Sequence, residues 1–187
     1  MTIQNHGRNP ARVSGYILLG LMFLSLPVWS SEASLRVAFV YNFIKFIQWP
    51  AGGDAADNPS FHLCALGAQS EVRAALGQIN GKAIAQQIVM VVFLDDSASV
   101  NAGLASCKML YRPEHGLPLV LPHPLPVGVV LVADEPAPGT PDVAVSLTRN
   151  GDGPLEFQVD QAVIAQAGVT VSSQLLKLAK NTRGSAK

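Results

Sequence analysis

The residues with chemistry to offer are two cysteines, four histidines and a few adjacent acids. Cys64 and Cys107 suit either a disulfide or a thiolate site, and His62 stands two residues before the first of them. A structural zinc centre takes four closely spaced donors. Beyond His62, only His115 and His123 remain after the N-terminal segment, so no ligand set assembles and no metal is expected. Asp134-Glu135 invites an acid–base reading, but a proton-transfer site needs a reacting group within hydrogen-bond reach. No His, Ser or Lys pattern accompanies the pair, and solvated acids at a strand end are expected. There is no Gly-x-Ser-x-Gly, no His-Glu-x-x-His, no phosphate-binding loop and no paired-cysteine zinc spacing. Gly67 stands alone where a dinucleotide fingerprint needs three glycines at fixed offsets. No local catalytic motif is present, though spaced catalytic groups would leave none, and no bound cofactor is expected.

Recognition is the chemistry left, and it centres on Leu35–Pro50, LRVAFVYNFIKFIQWP, which holds five of the twelve aromatic residues. At about 100° per residue, Val37, Phe39, Val40, Phe43, Ile44, Phe46 and Ile47 share one half of a helical wheel. Tyr41, Asn42, Lys45 and Trp49 fall on the other half and are the candidate residues for binding a partner or ligand. Ser34 is the expected N-cap, Arg36 is expected to bend its stem out to water, and Pro50 is expected to stop the helix.

Compartment decides what the cysteines mean. Residues 1–33 have the plan of a secretory signal: Arg8 and Arg12, an apolar run over residues 13–26, Pro27, then Ser31-Glu32-Ala33. Cleavage after Ala33 is expected, leaving an exported mature chain beginning at Ser34. The 13 basic and 13 acidic residues cancel without forming a basic stripe, so nucleic acid is not an expected partner. In an oxidising compartment a Cys64–Cys107 disulfide is the default, with two separate buried thiols as the alternative.

The elements that must position these residues alternate. Phe61–Gly67 reads as a strand buried on both faces, residues 70–79 as a helix capped by Ser70, and residues 83–94 as a second strand run. A short helix over 97–106, a strand over 107–112 and a strand over 128–133 continue the pattern, which favours an α/β layered domain. Five prolines between 113 and 126 rule out a helix of useful length there. Residues 143–148 and 155–159 read as a hairpin. Asp160 should cap a helix ended by Gly168, and Ser172 or Ser173 should cap a last helix with Leu175, Leu176 and Leu178 turned inward. Residues 181–187 are expected to be a flexible tail.

Tyr41-Asn42-Phe43-Ile44-Lys45-Phe46-Ile47-Gln48-Trp49-Pro50 resembles the opening signature of YfiR-like periplasmic proteins. The resemblance continues through Phe61–Gly67, Cys107–Tyr111, Leu155–Asp160 and Gly168–Ala179, so it spans almost the whole mature chain. It implies a single-domain, three-layer αβα sandwich around a mixed sheet, over residues 34–180. It also implies a non-enzymatic periplasmic regulator that represses an inner-membrane diguanylate cyclase by binding its periplasmic sensing domain. Cyclic-di-GMP, exopolysaccharide and biofilm formation would then be under its control. An OmpA-like outer-membrane lipoprotein is a further partner implied by the resemblance, and a homodimer is a further arrangement to consider. Cys64 and Cys107 match the family's domain-spanning disulfide. A second cysteine pair found in some members is absent, Asp160 replaces a usual asparagine, and the proline-rich segment stands where a helix is usual. The alternative function is a periplasmic small-molecule binding module whose aromatic pocket is lined by Tyr41 and Trp49.

Overall fold

A computed structural model describes residue 2 and residues 31–50 and 60–183, so most of the segment read as a secretory signal, and residues 51–59, read as a polar loop, lie outside the described residues. The first helix, α1, runs Glu32–Phe46. Its cap is Ser31 and not Ser34: the Ser31 hydroxyl accepts from Ser34 N at 3.2 Å, so Ser34 is already inside the first turn. Glu32 at the start and Lys45 at the end both suit the helix dipole. The apolar half packs as the wheel requires, with Val37, Val40, Phe43 and Ile44 buried. Phe39 makes edge contacts with Phe43 and Phe157.

The helix stops three residues before the position expected from Pro50. Ile47-Gln48 becomes a short strand, β1, paired antiparallel with β9, Thr170-Val171, and Ser172 N donates to Phe46 O at 2.9 Å. A cross-chain ladder here outweighs the local helical period, so Trp49 is placed by strand geometry and not by the wheel.

Five parallel strands form the centre of the main sheet: β2 (Ser60–Leu66), β4 (Gln87–Leu94), β5 (Met109–Arg112), β6 (Val130–Asp134) and β7 (Val143–Arg149). They lie in the order β4-β2-β5-β6-β7. A two-residue β3 (Ala83–Ile84) hairpins onto β4, which divides the single strand expected over 83–94. On the other side, β8 (Leu155–Asp160) returns antiparallel to β7, and β10 (Asn181–Arg183) adds parallel to β8. The first three residues of the expected flexible tail are therefore sheet. Helix α2 (Ser70–Gly77) makes the crossover from β2 to β4, and α3 (Ser97–Gly103) with a following 3-10 turn makes the one from β4 to β5. Asp96 closes a capping box on α3 with Ser99. Gln69, not Ser70, is the N-cap of α2, and it makes no side-chain cap bond.

Period two along the strands sorts two cores. Phe61, Leu63, Ala65, Met109, Tyr111, Val130 and Val132 face α1 and α2, together with α4 (Gln161–Gln166) and α5 (Ser173–Leu178). Cys64, Leu66, Leu110 and Leu131 face the opposite way, toward Val100 and Leu104 of the α3 region and the proline-rich leucines 119, 121 and 125. The arrangement is the expected three-layer αβα sandwich, with one outer layer built largely from an extended segment. Asp160 caps α4 through Ala162 N and Val163 N, Gly168 ends it at φ 69°, and Ser172 caps α5. Leu175 is buried as expected, but Leu178 is 69% exposed because α5 is only six residues long and turns that position outward.

Candidate functional site

Cys64 on β2 and Cys107 just before β5 are brought together because β2 and β5 are adjacent parallel strands, and their Cα atoms are 5.8 Å apart in a disulfide. Both sulfurs belong to the core on the α3 side. The bond joins the two strands at which the order of the sheet reverses.

Such a reversal opens a crevice at the strand carboxyl ends, the usual ligand position in open α/β sheets. Here the chain's own loop enters it. Leu117 N donates to Gly67 O at 3.0 Å, and Gln69 Nε2 donates to His115 O at 2.6 Å. Gly67 has φ +54°, and a Cβ there would lie 2.5 Å from Leu117 N, so glycine is required both by the turn and by the close approach.

Beside that loop is a charged cluster. Arg36 of α1 is 6% exposed and Asp134, at the end of β6, is 4% exposed; the structure thus reverses the expectation that both reach water. Arg36 Nε donates to Glu32 Oε1 at 2.9 Å, its Nη2 donates to Glu135 Oε1 at 3.2 Å, and Glu114 lies at 3.7 Å. Arg149 donates from Nη2 to Glu32 Oε2 at 2.8 Å and from its backbone N to Glu135 Oε1 at 2.7 Å. Glu135 holds φ 41°, a left-handed conformation, with its side chain bonded to Arg36 and to Arg149 N and its backbone N donating to Leu147 O at 2.9 Å. Tyr111, fully buried on β5, donates its hydroxyl to Asp134 Oδ2.

Arg36 Nη1 and Asp134 Oδ1 face each other at 3.8 Å, and neither has a hydrogen-bond partner among the described residues. Burial pushes the Asp134 carboxyl up to about 6, against the opposing pull of the Tyr111 hydroxyl, Arg36 and the Glu114 backbone. Burial and then the Asp134 charge push the Tyr111 phenol far above its ordinary value. Burial disfavours the Arg36 charge, but Asp134, Glu135 and Glu32 outweigh it and hold the guanidinium above its usual value. The cluster joins two arginines to four carboxylates. It is an ionic brace between the start of α1 and the carboxyl edge of the sheet. Its legible trace in the sequence is the Glu32–Arg36 spacing of four; the rest depends on tertiary neighbours.

The four recognition candidates separate. Tyr41 donates its hydroxyl to Ala83 O at 3.3 Å, and Lys45 and Lys82 approach its ring at 4.6 and 5.9 Å. Lys45 also donates to Asn42 Oδ1 at 3.1 Å, and both residues are exposed. Trp49 is half-buried, donates its indole N–H to Gly128 O at 2.9 Å and packs edge-on against Phe61. A groove of about 630 Å³ runs past Lys45, Trp49, Phe61 and Lys108; Tyr41 and Asn42 do not line it. Among the described residues no helix is long and apolar enough to cross a membrane, and no cluster of three metal-ligating side chains occurs.

Comparison with curated proteins gave no match. Among solved structures, a conserved domain protein from Vibrio cholerae O1 biovar El Tor is similar at 8% identity and a TM-score of 0.47. That match covers 82% of this chain and 60% of that one. A Streptococcus pneumoniae ABC domain in complex with L-Trp is similar at 10% identity and a TM-score of 0.41, covering 65% of this chain and 55% of that one. The chain thus spans less than two thirds of either structure. The model of the YfiR/HmsC-like family (DUF4154) matches residues 33–180, from the first turn of α1 to the residue before β10, and the chain belongs to that family.

Proposed function

We propose that this protein is a non-enzymatic periplasmic regulator that represses an inner-membrane diguanylate cyclase by binding its periplasmic sensing domain, and so limits cyclic-di-GMP, exopolysaccharide and biofilm formation. The observation that carries this reading is the family match over residues 33–180, since YfiR-like members are regulatory and periplasmic. Repression works by population shift: the bound regulator must favour the inactive cyclase through a difference in affinity between its two states. Asn42 and Lys45 are the candidate contacts on α1, because their side chains are exposed, while Tyr41 and Trp49 hold that face against neighbouring segments. An OmpA-like outer-membrane lipoprotein is the partner proposed to sequester the repressor.

The test is deletion followed by complementation. Loss of the gene is expected to raise cyclic-di-GMP, and the wild-type chain should restore it. A variant carrying Asn42→Ala and Lys45→Glu should fold with unchanged stability and fail to restore repression. Unaltered cyclic-di-GMP after deletion, with no cyclase recovered alongside the tagged protein from membranes, overturns the reading. A second reading is favoured by the groove beside Trp49, whose two lysines and two aromatic rings suit a small anionic ligand. Marked thermal stabilisation by one metabolite, with no cyclase phenotype, would support that reading in its place.

A further inference from the structure

We infer that export processing cuts the chain between Ser30 and Ser31, so that the mature protein begins at the residue that caps α1. The inference rests on the exported reading and sharpens it, because two bonds in the sequence have small or modest residues one and three positions before them. One follows Ala33, with Ser31 three back; the other follows Ser30, with Val28 three back. By side-chain size alone the first is the better site. The fold separates them.

Residues 31–33 are part of the domain. Ser31 accepts twice at the start of α1: its hydroxyl from Ser34 N at 3.2 Å and its carbonyl from Leu35 N at 3.0 Å. A chain starting at Ser34 would lose both acceptors and leave first-turn N–H groups unpaired. Glu32 is the acid shared by Arg36, at 2.9 Å, and Arg149, at 2.8 Å, and it ties the helix start to the end of β7. Without it, Arg149 has no carboxylate partner among the described residues for its guanidinium, and Arg36 stays buried with fewer opposing charges. Ala33 is 8% exposed, belongs to the main core and lies inside the segment matched by the family model. Cleavage after Ala33 removes a cap, a two-arginine acid and a core side chain in one step. Cleavage after Ser30 removes none of them, and it falls four residues beyond Leu26, the end of the apolar run.

Full-length protein expressed with its own leader and purified from the periplasm is examined by intact mass and N-terminal sequencing. A start at Ser31 is the expected result. A start at Ser34 overturns the inference while leaving export intact, and an uncut chain beginning at Met1 overturns the inference and cleaved export together. Ser30→Tyr places a bulky ring next to the inferred bond but four positions before the alternative one. Accumulation of precursor is expected, and normal processing of that variant overturns the inference. Placed behind a foreign leader, a chain starting at Ser34 should melt about 5 °C below one starting at Ser31; equal melting overturns the structural argument.

Discussion

Asp134 should make the protein more stable in mild acid than at neutral pH. Its carboxyl is buried beneath the charged cluster and held near 6 in the folded chain, mainly by loss of water. In the unfolded chain an aspartate titrates at about 3.9. Between those values the folded state binds a proton that the unfolded state does not, so stability falls as pH rises through the window. The contribution is fully present below about pH 4 and is lost as pH rises through about 6. A difference of about two pH units corresponds to about 3 kcal/mol. Urea unfolding of wild type and Asp134→Asn, measured from pH 4.5 to 7.5, isolates the effect, because the variant lacks the buried carboxyl. Asparagine can still accept from the Tyr111 hydroxyl, and whatever its amide costs opposite Arg36 does not vary with pH. The stability of wild type relative to the variant should fall by about 2 kcal/mol between pH 4.5 and 7.5. A flat difference, or one that grows with pH, would mean that the Arg36 charge outweighs burial and that the carboxyl is stabilised as an anion. The reasoning about this cluster would then be wrong.

Removing the disulfide as Cys64→Ala/Cys107→Ala should cost about 4 kcal/mol in the chain-entropy treatment, since the bridged residues are 43 positions apart. Calorimetry should show that as a fall of about 12 °C in melting temperature, and a loss under 1 kcal/mol would show that the bridge constrains little. Gly67→Ala should destabilise by about 1–3 kcal/mol in urea, because φ is +54° and the new methyl would meet the Leu117 backbone. Trp49→Phe, which keeps the ring beside Phe61 but gives up the bond to Gly128 O, should cost about 1 kcal/mol, and Trp49→Ala about 3 kcal/mol. Equal losses for the two Trp49 variants would argue that the ring contributes nothing beyond its hydrogen bond. Lys45→Glu should leave the melting temperature within 2 °C of wild type, since Lys45 is exposed and its links to Asn42 and the Tyr41 ring lie at the surface; a larger fall would make it a structural residue.

Periodicity made much of the fold legible. The spacing of Val37, Val40, Phe43 and Ile44 places one helix face in the core whatever the chain packs it against. The apolar runs at 61–67, 107–112 and 128–133 read as two-sided strands, and all three fall beside one another in the sheet. Asp160, Gly168 and Ser172 cap what they were expected to cap because capping is settled within three or four residues. Ser34 failed as a cap for an equally local reason: Ser31, three residues earlier, can do the same job and Glu32 extends the first turn.

What the sequence determined by itself was therefore the longer helices and strands, the layered α/β class and the signature that marks the family. The tertiary structure decided where charge is buried and where the opening helix ends. Arg36 and Asp134 look like residues bound for water until the start of α1 is brought to the carboxyl end of β6, where burial and mutual attraction set their state together. Ile47-Gln48 looks helical until β9 offers it a ladder. Both outcomes depend on partners about 100 or more positions away, and a local window along the chain holds no record of a partner at that distance.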